Sequence, residues 1–322
     1  MIVLGLETSC DETAASVVGP DGVRSDVIHT QEIHRQYGGV VPELAGRAHA
    51  ERIVATARAA LDRAGVTRPD GVAATAGPGL IGAVLVGLCF GRALALGWGV
   101  PFVGVNHLEG HLLSPLLEDP PPSFPFLALV VSGGHTTLYL ARGLGDYAVL
   151  GQTVDDAAGE AYDKVARMLG LGYPGGPAVD RLAQQGDARA VAFPRPNPGG
   201  LDWSFSGLKT AVRQHLSRPD RASDADVAAS FQEAVADVLC QRVLAASRAH
   251  DVQQVAVSGG VAANSRLRAR LAALPLQVTL PPRARCTDNG AMIASAGRMR
   301  LLAGQRDPMG TPARPQWTPG AP

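Results

Sequence analysis

Several residue types and motifs are scarce or missing in this chain, and each shortage excludes a class of protein. The four cysteines lie far apart and form no Cys-x-x-Cys pair, which argues against a disulfide framework and a zinc ribbon. No glycine turn is followed by Gly-Lys-Ser or Gly-Lys-Thr, so the sequence contains no P-loop. The longest apolar stretch, from Gly79 to Gly91, is shorter than the ~20 residues that span a bilayer, and the start lacks a basic segment. We therefore expect a soluble, cytoplasmic protein without membrane contact.

Lysine is also scarce, and positive charge is concentrated near the C-terminal end. Only two of the 29 basic residues are lysines, Lys164 and Lys209, which suggests a use for their compact charge. The net charge is zero, but residues 240–322 hold 11 basic and 3 acidic residues. Such a region could bind the phosphates of a nucleic acid, although a solvated helix face is the simpler account. Its arginines include Arg266, Arg268, Arg270, Arg283, Arg285, Arg298 and Arg300.

The abundant residue types indicate a globular α/β protein. Apolar residues make up 46% of the 322 residues and charged ones 18%, which suits two domains of ~100–200 residues each. The 38 glycines and the low aromatic content favour tight turns between strands and helices, with close helix–sheet packing.

Two histidines four residues apart, His107 and His111, lie on one face of a predicted helix. At this spacing one divalent metal can bind both imidazoles. In the zinc-protease motif a Glu directly follows the first His; here Leu108 takes that place, and Glu109 lies about 200° round the helix. The pair therefore favours a metal and argues against peptide hydrolysis. Two helix-surface histidines without a ligand remain the alternative.

Asp288 is the candidate third ligand. It lies in Thr287–Gly290, directly before the last predicted helix, Asn289–Leu302. Two imidazoles and one carboxylate leave coordination positions open for a substrate, as a catalytic metal requires. The alternative is that Asp288 or Thr287 only caps the helix.

Hydrophobic patterning divides the chain into two halves with the same order of hairpin, helix, strand, glycine turn and helix. This repeat predicts two similar α/β lobes that face a cleft, at residues 1–105 and 106–288. The last helix is expected to cross back to the first lobe, and the Pro- and Gly-rich tail, 304–322, to be disordered. The predicted strands are Ile2–Leu6, Ala14–Val18, Gly71–Thr75, Phe126–Val131, Thr136–Leu140 and Gln254–Val257. The other predicted helices are His49–Ala64, Leu80–Leu96, Asp224–His250 and Ala262–Ala273.

Three glycine turns follow predicted strands, at Ala76–Gly82, Ser132–Gly134 and Ser258–Gly260. Glycine lets the backbone approach a phosphate and direct N–H groups at it, so the three turns together favour a nucleotide site. Each turn alone is also explained by tight packing. A further helix begins near Asp155-Asp156, with either residue as its cap, and Asp163 and Asp180 are candidates for binding ribose hydroxyls. A capped surface helix followed by a turn is the alternative.

Together these segments resemble the TsaD (Gcp) family of bacterial-type tRNA N6-adenosine threonylcarbamoyltransferases. The resemblance runs from Gly5 to about Ala303 and leaves out the tail. It implies the duplicated fold of actin, the sugar kinases and Hsp70 (the ASKHA, RNase H-like class). The motifs that carry it are Glu7–Ala14, Tyr37–Leu44, Gly77–Gly82, His107–His111, Val131–Thr136, Tyr173–Pro177, Ser204–Thr210, Ser258–Asn264 and Cys286–Ala291.

The resemblance implies residue roles. One divalent metal, Fe²⁺ or Zn²⁺, would be bound by His107, His111 and Asp288, and Asn106 stands where the family leads us to expect a His. Asp11 is our candidate for the catalytic base. The implied substrate contacts are Val130, Val131, Ser132, Gly133, Gly134, Asp163, Gly176, Asp180 and Asn264.

The implied reaction moves the threonylcarbamoyl group from threonylcarbamoyl-adenylate to the N6 amine of the adenosine 3′ to the anticodon. The tRNAs would be those that read codons beginning with A, and AMP would leave. The implied partners are the inactive paralogue TsaB and the P-loop ATPase TsaE. The helix His49–Ala64 is a candidate contact for TsaB, and the basic region 240–322 a candidate tRNA surface.

Three other functions compete with this one. A metallopeptidase is disfavoured by Leu108 in place of Glu. A small-molecule kinase or ATPase would suit the fold but needs a carboxylate base and Mg²⁺ rather than a His pair. A non-catalytic scaffold should lack the metal residues that this chain has.

Overall fold

The computed structural model describes residues 1–320 and divides into two compact units. The first unit contains Met1–Asp119 and the chain from Asp288 onward, and the second contains Pro120–Thr287. Ala321 and Pro322, the end of the predicted tail, lie outside the described residues. The strands are β1 (Val3–Glu7), β2 (Glu12–Gly19), β3 (Gly22–Thr30), β4 (Gly71–Gly77), β5 (Phe102–Asn106), β6 (Phe126–Val131), β7 (Thr136–Gly143), β8 (Asp146–Gln152), β9 (Gln254–Ser258) and β10 (Gln277–Thr279).

The helices follow the strands in both units. The α-helices are α1 (Pro42–Ala64), α2 (Ile81–Trp98), α3 (His107–Leu113), α4 (Ala158–Met168), α5 (Gly175–Ala183), α6 (Ser206–Leu216), α7 (Asp224–His250), α8 (Ser265–Ala272) and α9 (Gly290–Leu302). Short 3-10 helices span Glu32–Tyr37, Ser114–Leu117, Gly260–Ala263 and Arg283–Arg285.

Each unit contains one five-stranded sheet, and the two sheets have the same topology. The order is β3-β2-β1-β4-β5 in the first unit and β8-β7-β6-β9-β10 in the second. In both sheets the first three strands of the unit pair antiparallel, and the last two join in parallel. The central strands β1, β4 and β6 are buried along their whole length, which explains their continuous apolar sequence. The predicted duplicated α/β fold is confirmed.

The last helix, α9, packs directly on the first sheet. A Cβ atom on Gly5 would collide with the backbone of Ala294, and one on Gly297 would collide with Ala73. Small residues at these contacts let helix and sheet backbones approach each other closely. The chain from Asp288 onward therefore belongs to the first unit.

The predicted boundary between residues 105 and 106 placed α3 in the second lobe, but in the structure α3 belongs to the first unit. Glu109, which is fully buried in α3, accepts hydrogen bonds from Arg300 of α9 at 2.6 and 2.8 Å. Gly110 lies against Ile293 of the same helix. This ion pair and the packing around it hold α3 in the first unit, so the boundary lies after Asp119.

The tail was predicted to be disordered from its composition, and this is wrong for the described residues. The backbone N–H of Asp307 donates to the Phe102 carbonyl at 2.9 Å, and its carboxylate accepts from Gly104 N at 2.7 Å. Further along, Arg314 N donates to the Ala76 carbonyl at 2.7 Å. Because β5 is an edge strand, its free backbone groups are available to the tail.

Among the described residues, one helix, α2, is long and apolar enough by length and composition to cross a bilayer. Its buried positions include Val84 and Leu88, and the helix packs against β4 and α1. The core helix of a globular protein passes the same test, so α2 is weak support for a membrane span.

Candidate metal centre

Strand β5 runs directly into α3, and Asn106 at the junction caps the helix. Its Oδ1 accepts from the backbone N–H groups of Leu108 and Glu109, at 2.9 and 3.2 Å. These bonds satisfy two of the free donors in the first helical turn. With the helix fixed from its first residue, the rings of His107 and His111 lie with their centroids 4.7 Å apart, and both side chains are buried.

Asp288 faces these two rings. Its Oδ1 lies 2.9 Å from Nε2 of His111 and 3.7 Å from Nε2 of His107. It is not the cap of α9, because Asn289 accepts from the Met292 N–H at 2.9 Å and fills that position. The alternative interpretation, that Asp288 or Thr287 only caps the helix, is therefore wrong.

The three side chains fit a divalent cation. Each offers one ligand atom, and these atoms all lie within 4.8 Å of one another. Bonds of 2.0–2.2 Å to a tetrahedral ion would hold such atoms about 3.3–3.6 Å apart, and Asp288 Oδ1 lies 2.9 and 3.7 Å from the two Nε2 atoms. Two imidazoles and a carboxylate are donors that suit Zn²⁺ and Fe²⁺ equally, and they leave a position open.

The buried carboxylate of Glu7 lies beside Nδ1 of His107, the ring nitrogen that does not face Asp288. Glu7, the last residue of β1, has no exposed surface, and its Oε2 lies 2.9 Å from Nδ1 of His107. Burial raises the pKa of Glu7, but the charge and hydrogen bond of His107 outweigh burial, so the pKa lies below its ordinary value. Burial likewise opposes the charged form of His107, yet Asp288 and Glu7 together raise its pKa to about 9.

The turn between β1 and β2 brings two more carboxyl groups to the first unit's candidate site. Asp11, the predicted base, lies in this turn and is half-exposed. Its neighbour Glu12 was not singled out from the sequence. Burial and the nearby negative charges of Asp288 and Asp11 raise the pKa of Glu12 well above its ordinary value. Only the tertiary contact with Asp288 distinguishes Glu12 from an ordinary strand residue.

The predicted substrate residues of the second unit lie along one continuous series of contacts. Val130 and Val131 end β6, and Ser132–Gly134 form the turn to β7. The N–H of Gly159, in the first turn of α4, donates to the Ser132 carbonyl at 3.2 Å. On the other side of β6, a Cβ atom on Gly259 would collide with the Val131 carbonyl.

The series continues through α4, α5 and α8. Asp163 in α4 accepts from Gly175 N at 2.7 Å, next to Gly176. Asp180 in α5 accepts from Ser265 Oγ at 2.6 Å and from Asn264 Nδ2 at 3.3 Å. All nine predicted substrate residues therefore lie on adjoining segments of one unit.

Packing within the fold does not explain why the three glycines among the predicted substrate residues are glycine. A Cβ atom on Gly133, Gly134 or Gly176 would meet no atom of the described residues within 4 Å, and none of the three has a left-handed φ. By contrast, Gly159 needs to be glycine, because a Cβ there would lie 2.5 Å from the Ser132 carbonyl oxygen. Open space above the three glycines is what a bound ligand requires.

The two aspartates predicted to cap α4 have other roles. The N-cap is Ala157, which makes no side-chain cap bond. Asp155 accepts from Ser204 Oγ and Ser206 Oγ, both at 2.6 Å. Asp156 binds both lysines of the chain, Lys164 at 2.8 Å and Lys209 at 2.7 Å. Lys164 of α4 and Lys209 of α6 therefore bind the same carboxylate, which links the two helices.

Much of the basic C-terminal charge is already paired within the chain. Arg266 and Arg270 form ion pairs with Glu233 on α7, and Arg270 also pairs with Asp237 at 2.5 Å. Arg268 donates to the Pro281 carbonyl at 2.9 Å. These contacts favour the simpler interpretation of the basic region, since its arginines hold α8 against its neighbours.

The sequence matches one family of known proteins. A family model described as TsaD, tRNA N6-adenosine threonylcarbamoyltransferase, matches residues 22–295. A protein of Anaeromyxobacter dehalogenans strain 2CP-C with that name is 53% identical and aligns over 98% of both chains. One from Trichlorobacter lovleyi with the same name is 52% identical, over 98% of this chain and 96% of the relative.

Two solved structures agree with the fold. HypF from T. kodakarensis has a TM-score of 0.64 at 17% identity and covers 94% of this chain and 48% of its own. The activator of 2-hydroxyisocaproyl-CoA dehydratase from Clostridium difficile has a TM-score of 0.54 at 14% identity, over 94% and 97%. At these identities the likeness concerns the fold alone.

Proposed function

The chain belongs to the TsaD family of tRNA N6-adenosine threonylcarbamoyltransferases, and on that premise we propose the reaction in detail. The N6 amine of the adenosine 3′ to the anticodon attacks the carbonyl carbon of threonylcarbamoyl-adenylate. The bond from that carbon to the phosphate oxygen breaks, AMP leaves, and the amine loses a proton. The substrates are the tRNAs that read codons beginning with A. The observation that carries the proposal is the convergence of His107, His111 and Asp288 in a chain of this family.

His107, His111 and Asp288 hold one divalent cation, Fe²⁺ or Zn²⁺, per subunit. When bound, the cation would supply a Lewis acid that stabilises negative charge on a leaving group. The chain's own contribution is to keep the two imidazoles buried and to orient them toward the partly exposed carboxylate of Asp288. Glu109 cannot act as the base of a metallopeptidase, because both of its oxygens accept from Arg300.

The second unit binds the adenylate. The backbone at Gly133 and Gly134, where a Cβ atom would meet no atom of the described residues, offers N–H groups to a phosphate, whereas the N–H of Ser132 donates to the His135 carbonyl. Asp163, Gly176, Asp180 and Asn264, together with Val130 and Val131 at the end of β6, complete the contacts. Binding here orients the carbonyl for the amine, which matters because an aromatic exocyclic amine is a weak nucleophile.

Asp11 is the proposed acceptor of the proton that the amine releases. Burial and the negative charges of Asp288 and Asp11 raise the pKa of its neighbour Glu12. Asp11 is half-exposed in the turn that follows β1 and can pass the proton to solvent.

TsaB and TsaE are the proposed partners, and the protein works in the cytoplasm, where its tRNA substrates are. The surface proposed for TsaB lies on α1 and α2. Ile81, Leu85 and Cys89 repeat every four residues along α2 and are exposed, and Val54 on α1 is 50% exposed. Such an apolar stripe on a helix suits packing against helices of another protein.

One reconstitution tests the proposal. Purified chain, TsaB, TsaE, threonylcarbamoyl-adenylate and unmodified tRNA are incubated, and the tRNA nucleosides are analysed by mass spectrometry. We expect N6-threonylcarbamoyladenosine and AMP with the native chain, and neither with His111→Ala. Formation of ADP by the chain alone, without modified nucleoside, would instead support a kinase or ATPase.

A further inference from the structure

Glu7 is buried and is positioned to hold the ring of His107. Its side chain has no exposed surface, and it lies at the end of β1, where the strand leads into the Thr8–Glu12 turn. The backbone N–H of Ser9 donates to Oε1 at 2.5 Å, and Thr75 Oγ1 on β4 donates to Oε2 at 2.6 Å. The carboxylate is therefore held by the turn after β1 and by β4, in addition to its contact with the histidine.

The contact with the histidine determines which ring nitrogen carries the hydrogen. Oε2 of Glu7 lies 2.9 Å from Nδ1 of His107, and an ionised carboxylate can only accept. Nδ1 must then be the donor, which leaves Nε2 as the nitrogen that faces Asp288. Ser9 Oγ, 3.1 Å from the same Nδ1, can donate or accept and so does not decide the tautomer.

We propose that Glu7 is a positioning residue of the metal centre: its carboxylate keeps the His107 ring in the tautomer and orientation that present Nε2 to a divalent cation. This rests on the proposed metal site formed by His107, His111 and Asp288. Carboxylates in this position increase the basicity of the ligand and restrict its rotation, and their loss weakens metal affinity about 10- to 100-fold.

Zn²⁺ affinity of the whole chain, measured by competition with a chromophoric chelator, tests the proposal. Glu7→Gln keeps the size of the side chain but removes its charge, and we expect about 10- to 100-fold weaker binding. Glu233→Gln is the control, since it makes the same change in a buried carboxylate of the second unit. Glu233 pairs with Arg266 and Arg270 rather than with a metal ligand, so we expect a lower unfolding temperature with metal affinity unchanged.

Glu7→Asp and Glu7→Ala refine the comparison. Aspartate retains the charge at a shorter reach, so it should restore part of the affinity that alanine loses. A Glu7→Gln protein that binds Zn²⁺ as tightly as the native chain would overturn the proposal. So would equal losses of affinity in Glu7→Gln and Glu233→Gln, because they would reflect weakened folding alone.

A measurement on the native chain keeps the test valid if Glu7 variants do not fold. In the Zn²⁺-loaded protein, ¹⁵N spectra of the histidine rings should report a protonated Nδ1 and a metal-bound Nε2 for His107. The opposite assignment would overturn the proposal. If the native chain bound no Zn²⁺ at all, the metal site itself would fail, and this inference with it.

Discussion

Asp288 and His111 are 177 residues apart in the sequence, yet Oδ1 of one lies 2.9 Å from Nε2 of the other. The contact exists because α9 crosses the first sheet and pairs Arg300 with Glu109 of α3. The aspartate just before α9 therefore reaches the histidines of α3.

Metal binding should strengthen as the pH rises toward about 9. A ligand imidazole must be neutral, whereas the pKa of His107 is raised to about 9, so the metal displaces a proton from it at lower pH. We expect about a tenfold gain in affinity per pH unit between pH 7 and 8.5. Calorimetry in two buffers of different ionisation enthalpy should detect the released proton. An affinity that stays constant over this range would contradict the assignment.

Gly176→Ala and Gly133→Ala should impair substrate binding without destabilising the protein. A Cβ atom at either position meets no atom of the described residues, so the unfolding temperature should stay the same or rise slightly. The KM for threonylcarbamoyl-adenylate should increase several-fold, because the methyl group enters the ligand's space.

Gly159→Ala is the control for these two variants. Its Cβ would press on the Ser132 carbonyl, so we expect a loss of about 1–3 kcal/mol of stability. Unchanged KM values for Gly133→Ala and Gly176→Ala would remove both glycines from the proposed substrate site.

Leu85→Asp should abolish binding to TsaB. Leu85 is 42% exposed on α2, in the middle of the apolar stripe, so the charge should leave folding intact but oppose apolar packing. Val149→Asp is the matched control, because Val149 is 46% exposed on β8 of the second unit. Size-exclusion chromatography of each variant with TsaB distinguishes them. Equal binding by both would exclude the α2 surface.

Asp307→Ala should destabilise the first unit although it lies in the tail. Its carboxylate accepts from Gly104 N at 2.7 Å, and its loss leaves a partly buried donor unsatisfied. We expect a cost of about 1–3 kcal/mol in urea denaturation. Asp62→Ala, on the exposed side of α1, should cost far less. A tail that did not contribute to the fold would make the two variants equivalent.

Local features of the fold were predictable because short-range periodicity records them. Phe126–Val131 and Asp224–His250 have the bounds that apolar patterning predicted. The strands β3, β5, β8 and β10 were not predicted. Strand β3 has a mixed burial pattern, with Arg24 and Thr30 exposed, so its sequence has neither the alternating nor the continuous apolar pattern of a strand. Helix α1 begins seven residues before the predicted start at His49, because Pro42 can occupy a first helical turn.

The candidate site was predictable only in its parts. The family motifs identify His107, His111 and Asp288, and helical spacing explains the first two. No local pattern indicated that Glu7 supports His107 or that burial beside Asp288 raises the pKa of Glu12. The same is true of Asp156, which binds both lysines where the sequence suggested a helix cap.

The amino-acid sequence by itself determined the family, six of the ten strands that the structure describes, the long helices and the four-residue spacing of the histidines, because these depend on neighbouring residues. The tertiary structure alone decided which unit holds α3, that Asp288 reaches the histidines, and that the tail covers β5. Those outcomes depend on close approach at Gly5 and Gly297 and on the buried pair Glu109–Arg300. Each joins residues far apart in the chain, and the physical cause is burial, which no local pattern records.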